Sequence, residues 1–218
     1  MADTGFLART LRLGGAEIKY SVFIPHDHDG LRERAAILFL HGAGETGDDG
    51  VRPAEVGIGP AIRQREREFP FIVVFPQSRR RSWQHGGADA ADAMAVLADV
   101  EAIWRIDARR VHLTGISMGG YGAWSLAAAY PQRWASLVPI CGGGNPQDAT
   151  RIGHIPCWAF HGSADEIIPV ETSRVMVAAL RQAGAEPRYT EYPGVGHNSW
   201  DRAYGTEELY GWLSAQSR

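Results

Sequence analysis

Five short apolar runs and one more mixed run punctuate the chain. They are AAILFLH (35–41), FIVVFP (71–76), RVHLTG (110–115), ASLVPIC (135–141), PCWAFHG (156–162) and RYTEYP (188–193). Runs this short, apolar on both faces, predict strands buried in a parallel sheet. Ahead of them, residues 10–13 and 17–24 are separated by Gly14 and Gly15 and predict a hairpin. Helical stripes fill the gaps. Ala93, Val96, Leu97, Val100 and Trp104 share one stripe, and Val175, Met176, Ala179, Leu180 and Ala183 share another, with Gly184 placed to end it. Residues 118–130 are alanine-rich and stop before Pro131. Strands alternating with helices predict an α/β domain, a mostly parallel sheet flanked by helices. No repeat or Pro/Gly/Ser linker divides the 218 residues, so residues 1–218 are expected to form a single domain.

In such sheets ligands bind beyond the C-terminal ends of the strands. The segments there are polar and glycine-rich: HGAGETGDDG (41–50), PQSRRRSW (76–83), GISMGG (115–120), CGGGN (141–145), HGSADEIIP (161–169) and PGVGHNSW (193–200). The third holds G-x-S-x-G, from Gly115 through Ser117 to Gly119, between a predicted strand and a predicted helix. That is the setting of a nucleophile elbow, where small neighbours permit a sharp turn that lifts the serine hydroxyl above the sheet. A glycine-rich connection with a capping serine is the alternative reading of the motif alone.

A serine hydroxyl needs a base, and the base needs an orienting carboxylate. In this architecture they follow in the order serine, acid, histidine. Asp165 and His197, each just past a predicted strand, are the candidates, with Glu166 a rival acid and Asp201 a weaker one. An oxyanion would be met by backbone N–H groups of Met118 and of the loop at 41–44, where Ala43 is the choice and Gly44 the alternative. His41 and His161 read as structural histidines bracing these loops.

Composition adds limits. Hydrophobic residues make up 44% and charged residues 22%, a globular mix, and the net charge of −3 argues against nucleic acid or an anionic membrane as partner. Cys141 and Cys157 lie in apolar runs and read as free buried thiols of a reducing compartment. The start, MADTGFLART, lacks a basic stretch leading into a long apolar one, and no run reaches membrane-spanning length. A cytoplasmic location is therefore expected.

The phrases LFLHGAGETGDDG, GISMGGYGAWSLAAAYPQRW, FHGSADEIIPVE and YPGVGHNSW resemble the α/β-hydrolase superfamily, in particular small bacterial serine esterases of the predicted-peptidase and phospholipase/carboxylesterase-like kind. Some relatives of that kind act as feruloyl or polyhydroxybutyrate-type esterases. The resemblance spans about residues 15–215. It implies an α/β-hydrolase fold and a carboxylic-ester hydrolase without cofactor or metal. It also implies Ser117 as nucleophile, Asp165 as acid, His197 as base, and Ala43 and Met118 as oxyanion donors. Many relatives are secreted, which this chain's start does not suggest. Larger relatives carry a cap, for which residues 142–155 are too few, so an open cleft without a cap domain is expected.

Other signals are ambiguous. PHDHDG (25–30) and ETGDDG (45–50) look metal-like but lack ligand spacing, and read as turns. Arg79, Arg80 and Arg81 read as a solvated loop or as a greeting for a substrate anion. Trp83 and Trp200 are candidates to line a substrate pocket, packing being the other reading, and Tyr121 reads as helix packing. The expected partner is a small-molecule ester. A peptidase, amidase or thioesterase with the same triad is the alternative, and a non-catalytic binding module is the alternative of another class.

Overall fold

The computed structural model describes residues 3–218, so Met1 and Ala2, the start of the stretch read for a leader, lie outside the described residues. Eight strands form one sheet: β1 (Gly5–Leu13), β2 (Ala16–Ile24), β3 (Arg34–Leu40), β4 (Ile72–Pro76), β5 (Ile106–Ile116), β6 (Ser136–Ile140), β7 (Trp158–Gly162) and β8 (Arg188–Tyr192). Their order across the sheet is β1-β2-β4-β3-β5-β6-β7-β8. β1 pairs antiparallel with β2, and β2 antiparallel with β4; the remaining pairs are parallel. The hairpin is thus present, with a first strand that begins earlier than its sequence pattern suggested.

Along β3 the pleat sends Ala36, Leu38 and Leu40 into one core and Ala35, Ile37 and Phe39 into the other. Helices cover both faces, as the two-sided apolar pattern requires. The first core is closed by α2 (Ala88–Ile103), α3 (Met118–Ala129), α4 (Ala149–Ile152) and α5 (Glu171–Gln182). The second is closed by α1 (Ile58–Gln64), α6 (Trp200–Gly205) and α7 (Glu207–Ser214). This is the α/β-hydrolase architecture. Between β6 and β7 the chain makes only a short 3-10 turn and α4, so no cap covers the strand ends among the described residues.

Two helical stripes differ from expectation. α2 ends at Ile103, leaving Trp104 in extended backbone just beyond it. In α5 the buried face is Ser173, Met176, Val177 and Leu180, while Val175 is 49% exposed. Ser173 can be buried on that face because its hydroxyl has a partner there, His161 Nδ1 at 2.7 Å. No helix among the described residues is long and apolar enough to cross a membrane.

From β3 the chain passes to β4 on one side and then crosses to β5 on the other. The loops that follow β3 and β5 therefore diverge from adjacent strand ends, the position where open α/β sheets form a crevice.

Candidate active site

Ser117 stands between β5 and α3 with φ 54° and ψ −117°, a backbone conformation that a side chain ordinarily avoids. The turn is held by the Ser117 N–H donating to the Ile140 carbonyl (3.0 Å). Its tightness dictates the flanking glycines. A β-carbon on Gly119 would lie 1.9 Å from the Leu40 carbonyl oxygen, and one on Gly115 would lie 2.2 Å from the Gly119 carbonyl oxygen. No rotamer relieves a clash between a β-carbon and main chain.

His197 comes from the loop after β8. Its Nε2 is 3.0 Å from Ser117 Oγ and its Nδ1 is 2.8 Å from Asp165 Oδ2. The ring stands edge-on to Trp200, centroids 5.3 Å apart. Asp165, after β7, is buried; its Oδ1 accepts the N–H groups of Ile167 and Ile168, both at 2.9 Å. Burial opposes the charged carboxylate, but the hydrogen bonds from His197 and those two amides outweigh it and hold its pKa below the ordinary value. Asp165 thus offers a fixed negative charge to the imidazole. Glu166 and Asp201 are exposed, and Asp201 bonds Asn198 instead (2.8 Å).

His161 also reaches Asp165, its Nε2 lying 3.2 Å from Oδ2 and 3.0 Å from the Ile168 carbonyl. Two oxygen acceptors around Nε2 place the proton there. Burial lowers its pKa, so it stays neutral and braces the Asp165 loop. His41 does the same for the loop after β3. Its Nε2 accepts from the Ser78 N–H (2.9 Å), so Nδ1 carries the proton toward the Gly42 carbonyl (2.6 Å). Burial pushes its pKa down to about 4.

Ala43 opens a 3-10 turn and Met118 opens α3, and the first N–H of a helix has no acceptor within it. A β-carbon added to Gly42 would stand 3.6 Å from Ser117 Cβ, so the loop carrying Ala43 lies against the serine turn. Gly44, the alternative donor, is exposed.

A cavity of about 350 Å³ opens beside Ser117, walled by Trp83, Met118, Tyr121 and Ile168, with Arg81 and Gln84 at its polar side. Trp83 is 1% exposed, and its indole N–H donates to the His41 carbonyl (3.0 Å), so it serves as buried wall and brace together. Trp200 does not line this cavity; it faces a separate one with Val56, Asn198 and Asp201. Tyr121 lines the Ser117 cavity and a neighbouring one of about 320 Å³, rather than packing only within its helix.

The arginine run divides. Arg79 bonds Asp92 (3.0 Å) and Arg80 bonds Asp89 (3.0 Å), both on α2. Asp89 is buried and also accepts the Ser78 hydroxyl and the Arg80 N–H. Sequence pattern missed this anchor because an aspartate in a helix's first turn looks like an ordinary dipole partner. The PHDHDG and ETGDDG stretches are turns, Asp29 and Asp49 each capping two following N–H groups, although His28 is buried rather than solvated.

Among the described residues, Cys141, Asp165 and His197 are the one group of potential metal ligands close enough to share an ion, within 4.8 Å. Burial pushes the Cys141 thiol up to about 12, and the other two residues already bond each other, so the set fits a proton relay better than a metal centre. Cys141 and Cys157 are both free and buried.

The profile of the phospholipase/carboxylesterase family matches residues 69–206. Among curated proteins, NocK of Nocardia uniformis subsp. tsuyamanensis, named as a candidate esterase, is 26% identical over 195 residues, covering 86% of this chain and 56% of its own. A probable feruloyl esterase C of Aspergillus terreus is 27% identical over 161 residues, covering 70% and 57%. The crystal structure of a thermostable esterase superposes with a TM-score of 0.89 at 34% identity, covering 98% of this chain and 63% of that one. A feruloyl esterase module from Clostridium thermocellum, at 19% identity and TM-score 0.73, shares the fold. The chain spans a little over half the length of these two curated relatives.

Proposed function

The chain belongs to the phospholipase/carboxylesterase family, and on that premise we propose that it is one hydrolase domain that cleaves small carboxylic esters through an acyl-enzyme. The observation that carries the reading is the position of His197, within hydrogen-bond reach of both Ser117 Oγ and Asp165 Oδ2. Ser117 attacks the ester carbonyl as His197 Nε2 takes its proton. Asp165 holds the Nδ1–H tautomer and stabilises the imidazolium. The oxyanion is met by the N–H groups of Ala43 and Met118, fixed before charge develops. His197 then protonates the departing alcohol, and afterwards draws a proton from the water that releases the acid.

Each step uses groups of this chain. The cavity beside Ser117, lined by Trp83, Met118, Tyr121 and Ile168 and uncapped, suits a compact acyl or aromatic group. The buried free thiols accord with a reducing, cytoplasmic setting. The relatives named for ester hydrolysis favour esters over amides.

The test is a panel of p-nitrophenyl esters set against peptide anilides of matched acyl groups. Ester turnover that greatly exceeds anilide turnover and vanishes in Ser117→Ala supports the proposal. Comparable anilide turnover transfers the reading to a peptidase, and turnover of neither overturns it.

A further inference from the structure

Arg81 is set apart from the two arginines before it. Arg79 and Arg80 are each bonded to a carboxylate of α2. Among the described residues Arg81 has no acidic partner within 4.0 Å, lies over no aromatic ring, and is exposed. Its φ of 58° lies in the left-handed region, where a β-carbon is disfavoured and glycine is the ordinary occupant. The chain therefore holds a side chain at a strained position that returns no internal ion pair.

What Arg81 does have is a place in the wall of the cavity that contains Ser117. Among the described residues no carboxylate lines that cavity, and its other polar groups are uncharged. The apolar walls, Trp83, Met118, Tyr121 and Ile168, exclude part of the solvent and so strengthen the field of the guanidinium within. A guanidinium presents paired N–H donors that match the two oxygens of a carboxylate.

We propose that Arg81 is a specificity-determining residue, an anion-recognising group beside Ser117 that favours esters bearing a carboxylate or similar anion a short apolar reach from the scissile carbonyl. This rests on the ester-hydrolase reading of Ser117. The anion belongs either to the acyl part or to the alcohol part of the substrate, and the test separates the two.

Wild type, Arg81→Gly and Arg81→Lys are compared on two matched pairs. Mono-p-nitrophenyl adipate against p-nitrophenyl hexanoate places the anion on the acyl side; 4-acetoxybenzoate against its methyl ester places it on the leaving side. In one pair the anionic-to-neutral ratio of kcat/KM is expected to fall about fivefold or more in Arg81→Gly, to be largely kept in Arg81→Lys, and to shrink in wild type as salt is raised. The thermal midpoint should hold or rise in Arg81→Gly, since glycine relieves the backbone, so a lowered ratio is not a folding defect. Ratios unchanged in both pairs overturn the proposal. Calorimetric binding of mono-p-nitrophenyl adipate and 4-acetoxybenzoate to Ser117→Ala, with and without Arg81→Gly, reads the anion site apart from chemistry. An Arg81-dependent affinity for either compound supports the site even where the ester-hydrolase reading fails, and equal affinities for both overturn it.

Discussion

Ser117 Oγ and His197 Nε2 lie 3.0 Å apart although 80 residues separate them along the chain. What brings them together is strand order: the serine follows a central strand and the histidine follows the sheet's edge strand, and both loops emerge on the same side. The imidazole is oriented from behind by Asp165, at 2.8 Å. Asp165→Asn keeps the shape but can reverse the hydrogen bond and hold the wrong tautomer. The expected loss in kcat is about a thousandfold, with circular dichroism and thermal midpoint little changed. Activity within about tenfold of wild type would remove Asp165 from the relay.

Gly119→Ala tests the turn beneath the serine. Its new β-carbon would overlap the Leu40 carbonyl oxygen, with 1.9 Å between them, and backbone cannot step aside as a side chain can. Destabilisation of at least about 3 kcal/mol in urea titration is expected, with activity lost. A stable, active variant contradicts the close packing of α3 against the end of β3.

The arginine loop depends on a buried carboxylate. Asp89 accepts the Ser78 hydroxyl and the Arg80 N–H and pairs with the Arg80 guanidinium. Asp89→Ala leaves the buried Ser78 hydroxyl without its acceptor, and a cost of about 2–3 kcal/mol is expected by denaturant titration. Because Ser78 also donates its N–H to His41, kcat/KM should fall as well. A cost below about 0.5 kcal/mol would show that the loop holds itself.

Stability should decline on mild acidification. Burial lowers the pKa of His28, His41, His112 and His161 below the ordinary histidine value, to about 4 for His41 and about 3 for His112. Their unfolded forms take up protons near pH 6.5 while the folded forms do not. The stabilising contribution is therefore whole above pH 6.5 and is lost as pH falls toward 4. The loss is up to about 1.4 kcal/mol per pH unit for each proton taken up on unfolding. Urea midpoints measured from pH 7 to pH 4.5 should fall steadily; a flat profile contradicts neutral burial of these rings.

Much of this arrangement could be read along the chain because its local signals agree. An apolar run, a glycine-flanked serine and an alanine-rich helix name the turn at Ser117, and the strand ends carrying Asp165 and His197 are marked by glycines. Other features depend on distances that a sequence does not carry. Arg79 and Arg80 find partners on α2, whereas Arg81 finds none among the described residues; the three look identical in a row. Trp200 is close to His197 in sequence and touches its ring, yet α6 aims it at another cavity. α1, α6 and α7 had no clear stripe to announce them, since short helices give the hydrophobic pattern too few turns.

The central claim is that Ser117, activated by His197, is the nucleophile. The direct measurement is reaction with a fluorophosphonate, followed by peptide mass spectrometry and paired with ester turnover. One adduct per chain, located on Ser117, and formed at least about a hundredfold more slowly in His197→Ala, is the result expected. An adduct on another residue, or labelling of Ser117 at an undiminished rate without His197, would contradict it.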